Sequence, residues 1–256
     1  MKWTDTHAHL YHEQFAEDRI AMVQRAIDAG VSYLFLPNIV EASIQPMLDL
    51  CDHFPHHCFP MMGLHPCDVK ENYTEVLDRM KLEFTKRKYY GVGETGIDLY
   101  WDKTTLDIQI KSFETHVEWA KELNLPLIIH ARDSFDEICE VLDRMHDERL
   151  RGIFHCFTGP LEQAHKVMSY QTFMMGLGGV LTFEKSGLAE VMKEVPIDYL
   201  VLETDAPFLA PKPYRGKRNE SSYLPHIGAR LAQAKNLTDQ EVAAITTANA
   251  MKMFAM

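Results

Sequence analysis

Eight short apolar runs punctuate the chain, separated by longer amphipathic stretches. They are Trp3–Thr6, Val31–Pro37, Cys58–Gly63, Tyr89–Gly93, Leu125–His130, Gly152–Cys156, Thr172–Gly176 and Tyr199–Glu203. Each has the length of a buried strand, and most are rich in Val, Ile, Leu, Phe or Tyr. Between them, Leu106, Ile110, Phe113, Val117, Ala120 and Leu123 step by four or three along one helical face, as do Ile20, Val23, Ala26 and Ile27. Ser134 reads as a helix N-cap, with Glu137 completing a capping box. Strands alternating with helices predict an α/β fold with a parallel sheet, and eight strands close a (β/α)8 TIM-type barrel. A doubly wound open sheet is the alternative, but the first strand leads into histidines and not into GxGxxG. After the eighth run, Tyr223 to Phe254 reads as two or three helices that close or cover the barrel. Leu224, Ile227, Leu231 and Ala234 form one face, and Thr238 with Glu241 forms a second capping box. The stretch from Ala206 to Ser222, with three prolines and charged residues, predicts an irregular loop. The 256 residues accommodate all of this as a single hydrolase domain over 1–256.

The balance of 26 Lys and Arg against 37 Asp and Glu leaves a net charge of -11. Such a surface disfavours coating of nucleic acid, which needs broad basic area, but leaves room for a small site that takes one phosphate. Cys51, Cys58, Cys67, Cys139 and Cys156 form no CxxC pair and read as reduced thiols. No apolar run approaches the roughly 20 residues of a membrane span, and the first residues do not resemble a signal peptide. A cytoplasmic protein with no membrane association and no obligate protein partner is expected.

The chemistry-bearing residues fall at the ends of the apolar runs. His7 and His9, in Asp5-Thr6-His7-Ala8-His9, share one side of a strand and can reach one metal together. Glu94 follows the fourth run, His130 ends the fifth, His155 lies at the end of the sixth and Asp205 follows the eighth. Active sites of α/β barrels lie at that C-terminal rim. Four imidazoles and two carboxylates suit Zn²⁺, Mn²⁺, Fe²⁺ or Co²⁺, and six ligands exceed what one open catalytic ion needs. Two ions are therefore expected, His7, His9 and Asp205 on the first, His130 and His155 on the second, and Glu94 bridging. Such a pair generates hydroxide near neutral pH for attack on a carbonyl or phosphoryl centre. Asp205 can hold the nucleophile and accept its proton, and Glu203 either enters the pocket or orients a ligand.

Read together, these segments resemble the TatD family of metal-dependent deoxyribonucleases in the amidohydrolase-like superfamily. The resemblance rests on Asp5–Leu10, Gly63-Leu64-His65-Pro66, Gly91–Asp98, Leu127–Arg132, His155–Gly159 and Leu202–Pro207, in that order along essentially the whole chain. It implies a barrel, a pair of divalent ions such as Zn²⁺, Mg²⁺ or Mn²⁺, and phosphodiester hydrolysis on DNA, often from the 3′ end. It also implies that His65 and Arg132 contact the substrate phosphate, as the basic loop with Arg218 does. Arg suits that task because its fork grips phosphate bidentately. Ser221-Ser222 departs from the family, many of whose members carry proline after the Asn-Glu pair.

Tyr100-Trp101 either stacks on a base at the barrel mouth or caps the rim. The remaining histidines, His116 among them, read as surface or helix residues. Three functions compete: a deoxyribonuclease acting on single-stranded ends, a hydrolase of carbonyl esters or amides (a small cyclic amide or an aminoacyl-tRNA) using the same ions, and a metal-stabilised scaffold. Metal-activated water attacks phosphoryl and carbonyl centres alike, so the ligands do not choose between the first two.

Overall fold

The computed structural model describes residues 1–256. Eight parallel strands alternate with helices: β1 (Trp3–Asp5), α1 (Arg19–Asp28), β2 (Val31–Pro37), α2 (Glu41–His53), β3 (Cys58–Met61), α3 (Tyr73–Glu83), β4 (Val92–Asp98) and α4 (Leu106–Leu123). There follow β5 (Leu127–Arg132), α5 (Phe135–Met145), β6 (Gly152–Phe154), α6 (Leu161–Ser169), β7 (Phe173–Leu177), α7 (Leu188–Glu194), β8 (Leu200–Leu202), α8 (Leu224–Lys235) and α9 (Asp239–Phe254). The strands pair in chain order, β1-β2-β3 and β4-β5-β6-β7-β8. A parallel bridge between Met62 and Val92 joins the two runs. Backbone bonds from Thr6 N–H to Leu202 O (3.0 Å) and from Asp205 N–H to His7 O (2.9 Å) bring the last strand back to the first. The sheet thus curls into the barrel expected of eight βα units.

The barrel interior is filled from alternate positions of the strands. Phe35, Phe59, Ile128, Ile153, Met174 and Val201 pack together with Met253 and Phe254 from the end of α9. Phe254 stacks on Phe35 with ring centroids 3.6 Å apart, so the C-terminal helix plugs the interior from one side. The larger core lies between strands and outer helices, where Phe113 and Val117 of α4 join Val92 and Ile129. Burial of each such side chain contributes about 1.5–3 kcal/mol.

Several elements differ from the sequence expectation. β4 begins at Val92 and runs on to Asp98, whereas the apolar run ended at Gly93. The extension depends on Gly93 and Gly96, whose φ angles of 147° and 140° are closed to most L residues. A Cβ at either would collide with Ile128 or with the His130 backbone. Ile20 of the α1 face is exposed, and Met22, Val23 and Ala26 carry the burial. Ser134 precedes α5 without capping it. Its hydroxyl donates to Ile97 O at 2.6 Å, because the extended end of β4 passes beside it. The tail holds two helices, and the second capping box is formed: Thr238 N–H donates to Glu241 Oε2 (2.8 Å), and Glu241 N–H donates to Thr238 Oγ1 (3.2 Å).

Candidate metal centre

The alternation that fills the barrel also delivers the polar cluster. Ile128 faces inward, so His130 two residues later does too, just as Ile153 prepares His155 and Val201 prepares Glu203 and Asp205. His7 and His9 continue the inward parity of Asp5. Asp5 is itself buried, and its carboxylate accepts from Thr204 N–H (2.9 Å) and Thr204 Oγ1–H (2.6 Å), tying β1 to the segment after β8. Asp205 and Cys156 hold left-handed φ angles of 54° and 46°. Such backbone strain in non-glycine residues clusters at functional sites.

The other five residues expected as ligands converge around Glu94, which is 2 % exposed. Its Oε2 lies 3.3 Å from both His7 Nε2 and His9 Nε2, which are 3.2 Å apart. Asp205 Oδ1 stands 3.5 Å from His9 Nε2 and 3.7 Å from His7 Nε2. The other oxygen, Oε1, lies 2.9 Å from His130 Nδ1 and 2.9 Å from His155 Nε2, which are 3.3 Å apart. Glu94 thus turns one oxygen to each pair of histidines.

The donor set fits cations. Glu94 Oε2 is buried and makes no hydrogen bond, despite its two imidazole neighbours. A buried carboxylate oxygen left so costs several kcal/mol unless a positive charge meets it. Three donor atoms 3.2–3.3 Å apart match the edge of a tetrahedron with bonds of about 2.0–2.1 Å, which is about 3.3 Å. His7, His9, Glu94 and Asp205 could hold one ion, and His130, His155 and Glu94 a second.

Burial pushes the Glu94 carboxyl up, but His155, His65 and His7 outweigh it and hold the group well below the usual carboxylate range. Asp205 is likewise held ionised, because contacts with His9, His155 and His7 overcome its burial. Glu203 lies beside His7 and His155, close enough to share a cation with them. Its Oε1 accepts the Cys156 N–H (2.5 Å) and lies 3.4 Å from His155 Nδ1, while Oε2 is buried without a partner. His65 reaches Glu94 Oε1 at 3.4 Å.

Asp98 was missed as a site residue. It is buried, its Oδ2 lies 2.8 Å from His130 Nε2, and its Oδ1 accepts the N–H groups of Tyr100 (3.0 Å) and Trp101 (3.2 Å). Burial pushes its pKa up, but the hydrogen bond and charge of His130 outweigh that and hold it at about 2. Its even spacing from Glu94 is the signal in the sequence, hidden because the apolar run ends at Gly93. His116 was also misread. It is fully buried, with Nε2 accepting the Leu64 N–H (3.0 Å) and Nδ1 donating to Ser112 O (2.7 Å). It lies three residues after Phe113 and four before Ala120, on the apolar stripe of α4.

A cavity of 680 Å³ opens over this cluster and is lined in part by His65, Trp101, Arg132, Phe208 and Leu209. Arg132 makes no ion pair with Asp133 or Asp136; its guanidinium lies 3.8 Å from the Tyr100 ring centroid. Arg218 does not line the cavity. Both its NH groups donate to Asp18 at 2.8 Å, which occupies the fork expected to meet substrate. In the same region Arg25 pairs with Glu220 (2.6 Å), and Ser221 is fully buried.

The family profile described as TatD related DNase matches residues 4–255. The chain belongs to this family. It is 38 % identical over 251 residues to an uncharacterised metal-dependent hydrolase of Bacillus subtilis, YabD, covering 98 % of each chain. It is 32 % identical to the 3'-5' ssDNA/RNA exonuclease TatD of Citrobacter rodentium, covering 98 % of this chain and 97 % of the relative. The crystal structure of YJJV, a TatD homologue from Escherichia coli, superposes with a TM-score of 0.92 at 28 % identity, covering 99 % and 98 % of the two chains. The chain is therefore a metal-dependent hydrolase with the TIM-barrel fold of the TatD proteins.

Proposed function

We propose that the chain is an exonuclease that removes nucleotides from the 3′ end of single-stranded DNA with two divalent ions of the Zn²⁺, Mg²⁺ or Mn²⁺ class. The observation that carries the two-ion part of the reading is Glu94, which turns one oxygen toward His7 and His9 and the other toward His130 and His155. Two ions held there would supply a nucleophile at neutral pH and neutralise charge on a phosphoryl oxygen. The relative named as a 3'-5' ssDNA/RNA exonuclease supports the substrate and the polarity.

The chain's own residues divide the remaining tasks. Asp205, held ionised beside His9, takes a proton from the attacking water. Glu203 orients His155 and the turn at Cys156. Asp98 fixes the tautomer of His130 by accepting from Nε2–H, leaving Nδ1 free toward Glu94. Arg132 and His65, both lining the cavity, hold the substrate phosphate. No helix is long and apolar enough to cross a membrane. All five cysteines are free, in keeping with a place in the cytoplasm.

Single-stranded oligonucleotides labelled at the 5′ end test the reading, with Zn²⁺, Mg²⁺ and Mn²⁺ each supplied. The expected product is a ladder shortening from the 3′ end, with mononucleotides released. Turnover of carbonyl esters or cyclic amides without mononucleotide release would overturn it in favour of acyl chemistry.

A further inference from the structure

The mouth of the cavity carries a feature that hydrolysis alone does not require. Trp101 is 71 % exposed, whereas the two other tryptophans, Trp3 and Trp119, are 2 % and 6 % exposed. A single exposed aromatic means little by itself. Trp101 is not isolated, however. Its backbone N–H is fixed by Asp98, whose other carboxylate oxygen meets His130. Asp98 and Arg132 are register partners across β4 and β5, and the Arg132 guanidinium lies 5.5 Å from the Trp101 ring centroid. Tyr100 crosses Trp101 edge to face at 4.9 Å and supports Arg132 from its own ring. Trp101 and Arg132 line the same cavity as Glu94 and His130.

We infer that Trp101 is a base-stacking platform that holds the nucleobase next to the phosphate held by Arg132. The inference rests on the exonuclease reading above and names the part of the substrate that reading leaves open. Each nucleotide presents a flat apolar base beside one negative charge. An exposed indole beside a guanidinium, the indole's backbone held by the same Asp98 that meets His130, has that same pairing of surfaces. Stacking tolerates every base, so the platform grips single-stranded nucleic acid without reading its sequence. A duplex end, whose terminal base is paired and stacked, must open before it can use the platform.

The test compares oligodeoxynucleotides ending in thymidine with ones ending in an abasic residue, on the metal-loaded wild type, Trp101→Ala and Trp101→Phe. The wild type is expected to show about a tenfold lower KM for the base-bearing end, the scale of one stacked base. Trp101→Ala brings that ratio close to one, and Trp101→Phe restores part of it. Fluorescence gives a second readout, since Trp101 is the exposed tryptophan. A thymidine oligomer quenches it and an abasic oligomer does not. Cleavage with equal KM on both ends, unchanged in Trp101→Ala, overturns the platform and leaves the exonuclease reading standing. Absence of cleavage overturns the exonuclease reading. The quenching then decides the platform alone: base-dependent quenching sustains it, and none overturns it.

Discussion

His116 makes the stability of this barrel depend on pH in a direction that can be worked from its surroundings. Its ring is fully buried, and its two nitrogens are committed to Ser112 O and the Leu64 N–H, which requires the neutral form. Burial pushes its pKa down from the ordinary 6.5 to about 4. Above pH 6.5 the ring is neutral in both folded and unfolded chains, and the folded state keeps its full stability. Between pH 6.5 and 4 the unfolded chain takes up the proton and the folded chain does not, so stability falls as pH falls. At pH 4 the loss amounts to about 3 kcal/mol, and at pH 5 to about 2 kcal/mol. Other groups titrate in this window, so the difference between two proteins isolates the effect. His116→Gln keeps an acceptor for the Leu64 N–H and cannot titrate. Urea unfolding of wild type and His116→Gln, at pH 7.5, 5 and 4, is expected to show the wild type losing more stability on acidification by about those amounts. Parallel losses in the two proteins would refute the reasoning.

Asp98→Asn preserves an oxygen for the Tyr100 and Trp101 amides but removes the charge facing His130. Metal affinity should fall about 10- to 100-fold with the unfolding midpoint of the metal-free protein little changed, as titration with a metal-sensitive dye would report. Gly176→Ala places a Cβ against the Glu203 carboxylate and the His155 backbone. The carboxylate is the part free to give way, so kcat should drop about 10-fold or more while circular dichroism stays unchanged. An unaltered kcat would count against a working role for Glu203.

The fold and the convergence of the six candidate residues are legible in the sequence for one shared reason. A strand repeats its side every two residues, so apolar Ile128, Ile153 and Val201 announce that His130, His155 and Asp205 point inward above them. Glu94 was found, although its strand was drawn too short. The glycines at 93 and 96, ordinarily strand breakers, are here the residues that let β4 lie against Ile128 and the His130 backbone. Asp98 was lost with them, and Ser134 was assigned to a helix cap when its hydroxyl in fact bonds the extended strand. His116 was hidden by its polar character, although its place on the stripe with Phe113 and Ala120 marked it as buried. Arg218 illustrates the opposite limit. A basic residue in a loop looks like a phosphate contact until its partner is seen, and Asp18 comes from 200 residues away in the chain.

The shared carboxylate at Glu94 is open to one direct measurement: metal content per chain, taken alongside mononucleotide release, for wild type and Glu94→Gln. Glu94 faces four histidine nitrogens at 2.9–3.3 Å, so its neutralisation strips charge from both halves of the cluster at once. The wild type should hold two ions per chain and release nucleotides, and Glu94→Gln should hold fewer than two and release nucleotides from the same substrate at least about 100-fold more slowly. Two ions retained by Glu94→Gln with undiminished release, or full activity of the wild type with a single ion, would contradict a centre built on that bridge.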